Sequence, residues 1–270
     1  MVPPWTPDPL PPPPVENPQG VPDDVPDAAS DKNPSPSPTS LQFNPIAPAG
    51  RFGAARTSIG RYARSGSSDD LRRGLGHYVS KGWGGSNVAT QRLSGTVRSA
   101  GVLYGALEAL AAGRPIEAGG PDRALLEERS TEQIMSAVVQ AVRPVDGTQD
   151  AEATRDAIKC AASELLAKNP DADLLSLSED ERLFMVERFL AIDLFNRLML
   201  DIGQAIQKNA PSISTAASRL REIKNYIKQA VSAAFRNFHK TGEVLTPRRV
   251  SGISRQCIQE TLAVFEGGAE

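Results

Sequence analysis

Cysteine and histidine are almost missing from this chain: two of each stand among its 270 residues. Cys160 and Cys257 have no neighbours at metal-ligand spacing, which excludes a disulfide framework and a zinc ribbon. They read as buried thiols of a reducing compartment. A Ser–His–acid or Cys–His arrangement would have to use His77 or His239, and no strained nucleophile turn accompanies either. Apolar runs fall short of the ~20 residues a membrane span needs. The first residues show neither the basic nor the apolar region of a secretory signal, so the expected location is the cytoplasm. No stretch keeps the period-2 alternation of a strand. Gly74-Leu75-Gly76 has no strand before it and no third glycine for a dinucleotide site, and GWGGSN lacks the lysine of a phosphate loop. These absences leave no metal, no cofactor and no catalytic residue to assign, and the expectation is a protein that is not an enzyme.

What is present is segregated. Sixteen of the 22 prolines fall in the first 50 residues, which carry six acids and one base. Proline lacks the amide proton a helix needs, so PPWTPDPLPPPP and PSPSP favour extended polyproline II. With few large apolar side chains, residues 1–49 are expected to form a disordered acidic tail. Trp5 and Leu10 are apolar anchors that a groove on a partner could take, and a bare spacer is the other reading.

Residues 51–100 reverse the sign, with nine bases against Asp69 and Asp70. The Gly/Arg-rich segment 50–113 interleaves Arg51, Arg56, Arg61, Arg64, Arg72, Arg73 and Lys81 with Phe52, Tyr62, His77, Tyr78 and Trp83. Such interleaving suits three roles: a surface for an acidic protein partner, nucleic-acid binding by phosphate contact and stacking over 51–98, or a solvated face without special role. Ser68-Asp69-Asp70 predicts a helix start, with a serine cap and acids at the positive end of the dipole. That helix is expected to reach Gly82, with Gly74 and Gly76 marking a close approach of another backbone or a ligand. A second helix is expected from Ser86 or Asn87 to about Ala112, its Gly101 and Gly105 on a face that lets a neighbour pack closely.

The helical body, 121–266, has clear punctuation. Helices are expected from Thr131 to Pro144, over 148–168, over 178–208 behind a Ser178–Glu181 capping box, over 212–239, and from Thr246-Pro247 onward. The helix at 178–208 is apolar over most of its circumference and reads as the central buried one. Asp193 and Asp201 on it read as a polar seam, with Arg197 as partner. Lys208 and the cluster Arg219, Arg221, Lys224 and Lys228 read as a solvated face. The fold class is all-α: antiparallel helices joined by short loops.

The ordered motifs FGAARTSIGRYARSG and LRRGLGHYVSKGWGGSNVATQRLSGTVRSAGVLYGAL resemble the signature of the QatB family of the Qat anti-phage defence system. The resemblance covers about residues 50–110. It implies a non-enzymatic subunit working beside an ATPase, a QueC-like enzyme and a TatD-like nuclease. It further implies binding to the QueC-like enzyme through Arg51, Phe52, Arg56, Arg61, Tyr62, Arg72, Arg73, His77, Tyr78, Lys81 and Trp83. Such a subunit can serve as that enzyme's substrate, receiving a deazaguanine group at an N-terminus. A cut after Ala49 would expose the amine of Gly50, expected on a short flexible lead.

Overall fold

Helix caps set most of the element boundaries. The computed structural model describes residues 50–116, 123–237 and 244–269; the proline-rich segment 1–49 and His239 lie outside the described residues. Ser178 accepts the Glu181 amide at 3.3 Å while the Glu181 carboxylate takes the Ser178 amide at 2.8 Å. This reciprocal pair opens α7, Glu179–Asn209. Ser130 and Gln133 form a second capping box at the head of α5, Thr131–Val142. Thr148 caps α6, Gln149–Lys168. Ser212 caps α8, Ile213–Arg236. Thr246 caps α9, Pro247–Glu266, with proline at its first turn, where a missing amide costs nothing.

Three features of the first half depart from the expected pattern. A helix, α1, runs over Gly53–Ser65, and nothing in the sequence announces its start: Phe52 at its N-cap makes no side-chain cap. Its end is conventional, with Gly66 at φ 74° returning its amide to the Tyr62 carbonyl. Next, α2, Ser68–His77, is capped by Ser67, one position earlier than expected. It continues into a π-helical turn, Tyr78–Trp83, before Gly84 and Gly85 take positive φ. Finally, the helix expected from Ser86 to Ala112 is two: α3, Ser86–Arg92, and α4, Ser94–Ala111. The break sits at Leu93, just before a Ser-Gly pair that weakens helix continuity.

No strand occurs among the described residues, and the all-α class stands. Helix α7 packs against α1, α4, α6 and α8, as a centre should. Its buried residues run from Leu183 to Ile206 and include Phe189, Leu190, Ile192 and Ile202. Cross-contacts fix the directions. Thr154 meets Asp193 while Arg197 meets Asp150, so α6 runs antiparallel to α7. Ser232 meets Glu187, and Lys224 lies over Phe195, so α8 does too. The contacts Gly101–Ser251 and Gly105–Pro247 make α4 antiparallel to α9. Helix α1 is the exception. Arg56 meets Asp201 and Arg64 meets Asn209, so α1 runs with the C-terminal half of α7. Segment 50–113 therefore shares one hydrophobic core with the later helices, contributing Phe52, Ile59, Leu75, Leu103 and Leu107 among others.

The glycines that sequence reading singled out do mark close approaches. A Cβ on Gly74 would lie 2.7 Å from the Ile59 side chain. One on Gly76 would overlap the backbone of Ala269, and one on Gly101 would stand 2.7 Å from the Pro247 carbonyl.

The polar seam on α7 is a buried network. Asp193, with no exposed surface, accepts from Thr96 at 2.5 Å, Thr154 at 2.8 Å and Arg197 at 3.0 Å. One carboxylate thus ties α4, α6 and α7. Arg197 also reaches Asp150 at 2.9 Å. These two carboxylates hold its guanidinium above the ordinary range despite burial, which acts the other way.

The charges on α8 are more than a solvated face. Arg219 lies over Tyr62 and pairs with Glu222 at 2.9 Å, and Lys228 pairs with Glu164 of α6. Arg219 thus pairs within α8 while reaching the Tyr62 ring of α1, and Lys228 bridges to α6.

Candidate partner-binding site at the start of the folded body

The interleaved aromatics of the first half divide by burial. Phe52 at 4%, Tyr62 at 1% and Tyr78 at 2% exposure belong to the core, not to a stacking surface. Their spacing in sequence placed them on the inward faces of α1 and of the π-helical turn. Of the rings proposed for the surface, Trp83 and His77 are part-exposed.

The π-helical turn is what assembles the site. It brings Tyr78 and Trp83 onto Phe52: Tyr78 stacks on Phe52 with ring centres 5.1 Å apart, and Trp83 meets both edge-on, at 5.8 and 6.1 Å. Gly82 makes room, since a Cβ there would enter the Phe52 ring. Offset and edge-to-face pairs of this kind add about 0.5–1.5 kcal/mol each beyond the area they bury. The guanidinium of Arg51 lies 4.5 Å from the Phe52 ring centre and 4.7 Å from that of Trp83. Arg92 approaches Trp83 from α3 at 5.6 Å. An indole flanked by two guanidinium groups, on a rigid backing, is the outward feature of this region.

Beneath it the Tyr78 hydroxyl donates to Asp201 at 2.9 Å. Burial pushes both Tyr78 and Asp201 above their ordinary ranges, and the hydrogen bond offsets part of the rise at Asp201. Arg56 donates twice to the Asp201 carbonyl, at 3.0 and 2.7 Å.

The remaining basic residues are dispersed. Arg61 and Arg73 pair with Asp70 at 3.2 and 3.9 Å, and Arg72 with Asp69 at 3.6 Å, so Asp69 and Asp70 neutralise part of the segment's charge. Lys81 is exposed. Tyr62 sits elsewhere, its hydroxyl donating to Glu222 at 2.7 Å. His77 lies 3.5 Å from the buried Ser58 hydroxyl; burial, then Lys81, holds the imidazole below its ordinary pKa.

Gly50 is exposed at φ 81° and its carbonyl accepts the Gly53 amide at 2.7 Å. Gly50 immediately precedes Arg51, whose guanidinium lies against Trp83. Sequence reasoning placed Asp201 on the α7 polar seam but missed its pairing with Tyr78, which spans 123 positions, and it missed Arg92, which carries the same basic signal as its neighbours but lay outside the interleaved run.

The two thiols are both held in their neutral form. Burial pushes the Cys257 thiol up to about 12 and raises that of Cys160 as well, so both are protonated at neutral pH. No group of three or more His, Cys, Asp or Glu is set to hold a metal ion among the described residues. No described helix is long and apolar enough to cross a membrane.

A family model described as "QatB: Qat anti-phage system associated protein QatB" matches residues 84–265. The match takes in α3 to α9 and leaves α1, α2 and the π-helical turn outside, so Arg92 is the only member of the Trp83 cluster within it. No curated protein and no solved structure matches the chain.

Proposed function

From the premise that the chain belongs to the QatB family of Qat anti-phage system associated proteins, we propose that it is a non-catalytic subunit of that defence system. Its task in this reading is to dock on a QueC-like enzyme through the Arg51–Trp83–Arg92 face. An ATPase and a TatD-like nuclease complete the assembly. The observation that carries the reading is the part-exposed Trp83 between two guanidinium groups. Tryptophan and arginine dominate binding hot spots because they bury large area on rigid frames. Phe52 and Tyr78 already fix this indole, so little side-chain freedom is lost on binding.

The same face supports a role as substrate. Gly50 adjoins it, so an amine freed by a cut after Ala49 would reach the enzyme only if the enzyme docks on that face. Docking and deazaguanine transfer would then use one surface. Nucleic-acid binding by 51–98 has less support, because three of its arginines pair with acids and its buried aromatics offer no base a stacking platform.

The test is to express the chain with its neighbouring genes, isolate it and weigh it intact. The reading expects co-isolation of the QueC-like enzyme and a chain truncated at Gly50 with added mass. Co-isolation with an unmodified full-length chain would remove the substrate role; no co-isolation at all would remove the docking role.

A further inference from the structure

Between α4 and the first turn of α9 lies a pocket of about 460 Å³ that the partner reading does not use. Val102, Gly105, Ala106, Ala109 and Ile116 give it an aliphatic floor, and Pro247 closes one side. Among the described residues three arginines line it: Arg98, Arg114 and Arg248. Glu108, also on the lining, approaches Arg114 at 3.7 Å. Arg98 and Arg248 have no carboxylate partner among the described residues. Their surroundings contrast with Arg61, Arg72 and Arg73, each of which is matched by a nearby aspartate.

The pocket exists because of backbone packing. Gly101 and Gly105 draw α4 against Pro247 and Ser251. Helix α9 begins at Pro247, opposite Gly105, and α4 continues past that start with the small side chains of Ala106 and Ala109 on the lining. The first turn of the 20-residue helix α9, with Thr246 at its cap, borders the same space. A helix start favours negative charge. Thus an aliphatic floor, unmatched guanidinium groups and a helix start converge on one volume within the size range of small-molecule sites. No aromatic side chain among the described residues lines it. Guanidinium groups bind carboxylates in a two-bond fork.

We propose that this pocket binds a carboxylate carried on a short aliphatic body, with Arg98 and Arg248 holding the carboxylate and the α4 floor taking the aliphatic part. A free short-chain acid and the C-terminal residue of a peptide ending in leucine carry that same chemistry.

The test is calorimetric titration of the full chain with octanoate, with octanamide, and with two peptides ending in leucine, one with a free carboxylate and one amidated. Octanoate or the free-acid peptide is expected to bind, and whichever binds identifies the source. The double variant Arg98→Ala/Arg248→Ala, two exposed positions, is expected to weaken binding at least about tenfold. Val102→Trp, which fills the floor from an exposed position, is expected to block it, with circular dichroism confirming that both variants fold. Binding of neither carboxylate, equal binding of the amides, or unchanged affinity in the double variant would overturn the proposal.

Discussion

The Tyr78 hydroxyl donates to the Asp201 carboxylate at 2.9 Å, joining the π-helical turn of the first half to the central helix 123 residues later. Burial raises the pKa of Asp201, so its ionised form is a burden that the tyrosine offsets. The sign follows. A carboxyl raised in the folded state binds its proton more tightly there, so its unfavourable contribution is present at neutral pH and relieved as pH falls through the folded pKa. Tyr78→Phe removes the donor and should cost about 1–3 kcal/mol at neutral pH. The loss should shrink on acidification. Urea unfolding of wild type and variant at neutral and mildly acidic pH measures it. A loss that does not depend on pH would mean that packing, and not the hydrogen bond, accounts for the cost.

Asp193 should be the costliest polar position. Asp193→Ala strips Thr96, Thr154 and Arg197 of their shared acceptor and leaves Arg197 with the exposed Asp150 and a long contact to the Thr154 hydroxyl. Breaking a buried ion pair on one side costs about 3–5 kcal/mol. Thr154→Val removes one donor and should cost about 1 kcal/mol. Denaturant unfolding with an unchanged slope would rank the two variants; equal losses would contradict the network.

Glycine positions should separate by what a methyl group would meet. At Gly101 it would overlap Ser251 and stand 2.7 Å from the Pro247 carbonyl, whereas at Gly105 the nearest atom is a Pro247 ring carbon at 3.0 Å. Gly101→Ala should therefore cost about 1–3 kcal/mol, as overpacking does. Gly105→Ala should cost less. Thermal unfolding of both variants gives the order.

The thiols differ in access. Cys160 is part-exposed, while Cys257 is fully buried with its thiol pushed up to about 12 and donating to the Val231 carbonyl at 3.5 Å. Alkylation of the native protein should label Cys160 first, and Cys257 only on unfolding, as read by intact mass.

The second half of the fold was legible because its helices announce themselves. Ser178 with Glu181, Thr148, Ser212 and Thr246-Pro247 are local signals, and the apolar circumference of α7 showed which helix is central. The first half was harder. Helix α1 has no side-chain cap, the Ser94-Gly95 pair after the Leu93 break is a weak signal, and the π-helical turn is not encoded in any short window of sequence. The aromatic interleaving was visible, but its inward orientation was not: whether Phe52, Tyr62 and Tyr78 face water depends on α1 lying along α7. Asp193 with Arg197 could be read four residues apart on one helix. Asp201 with Tyr78 could not, because the chain separation hides it.

Affinity for the QueC-like enzyme tests the central claim most directly. Arg51→Glu combined with Trp83→Ala removes the cation and the indole of the proposed face, and should weaken the complex at least about thirtyfold, equivalent to about 2 kcal/mol at a hot spot. Arg72→Glu, an exposed residue paired with Asp69 outside that face, should change it little. Unchanged affinity in the folded double variant, or equal weakening by Arg72→Glu, would contradict docking through Arg51 and Trp83.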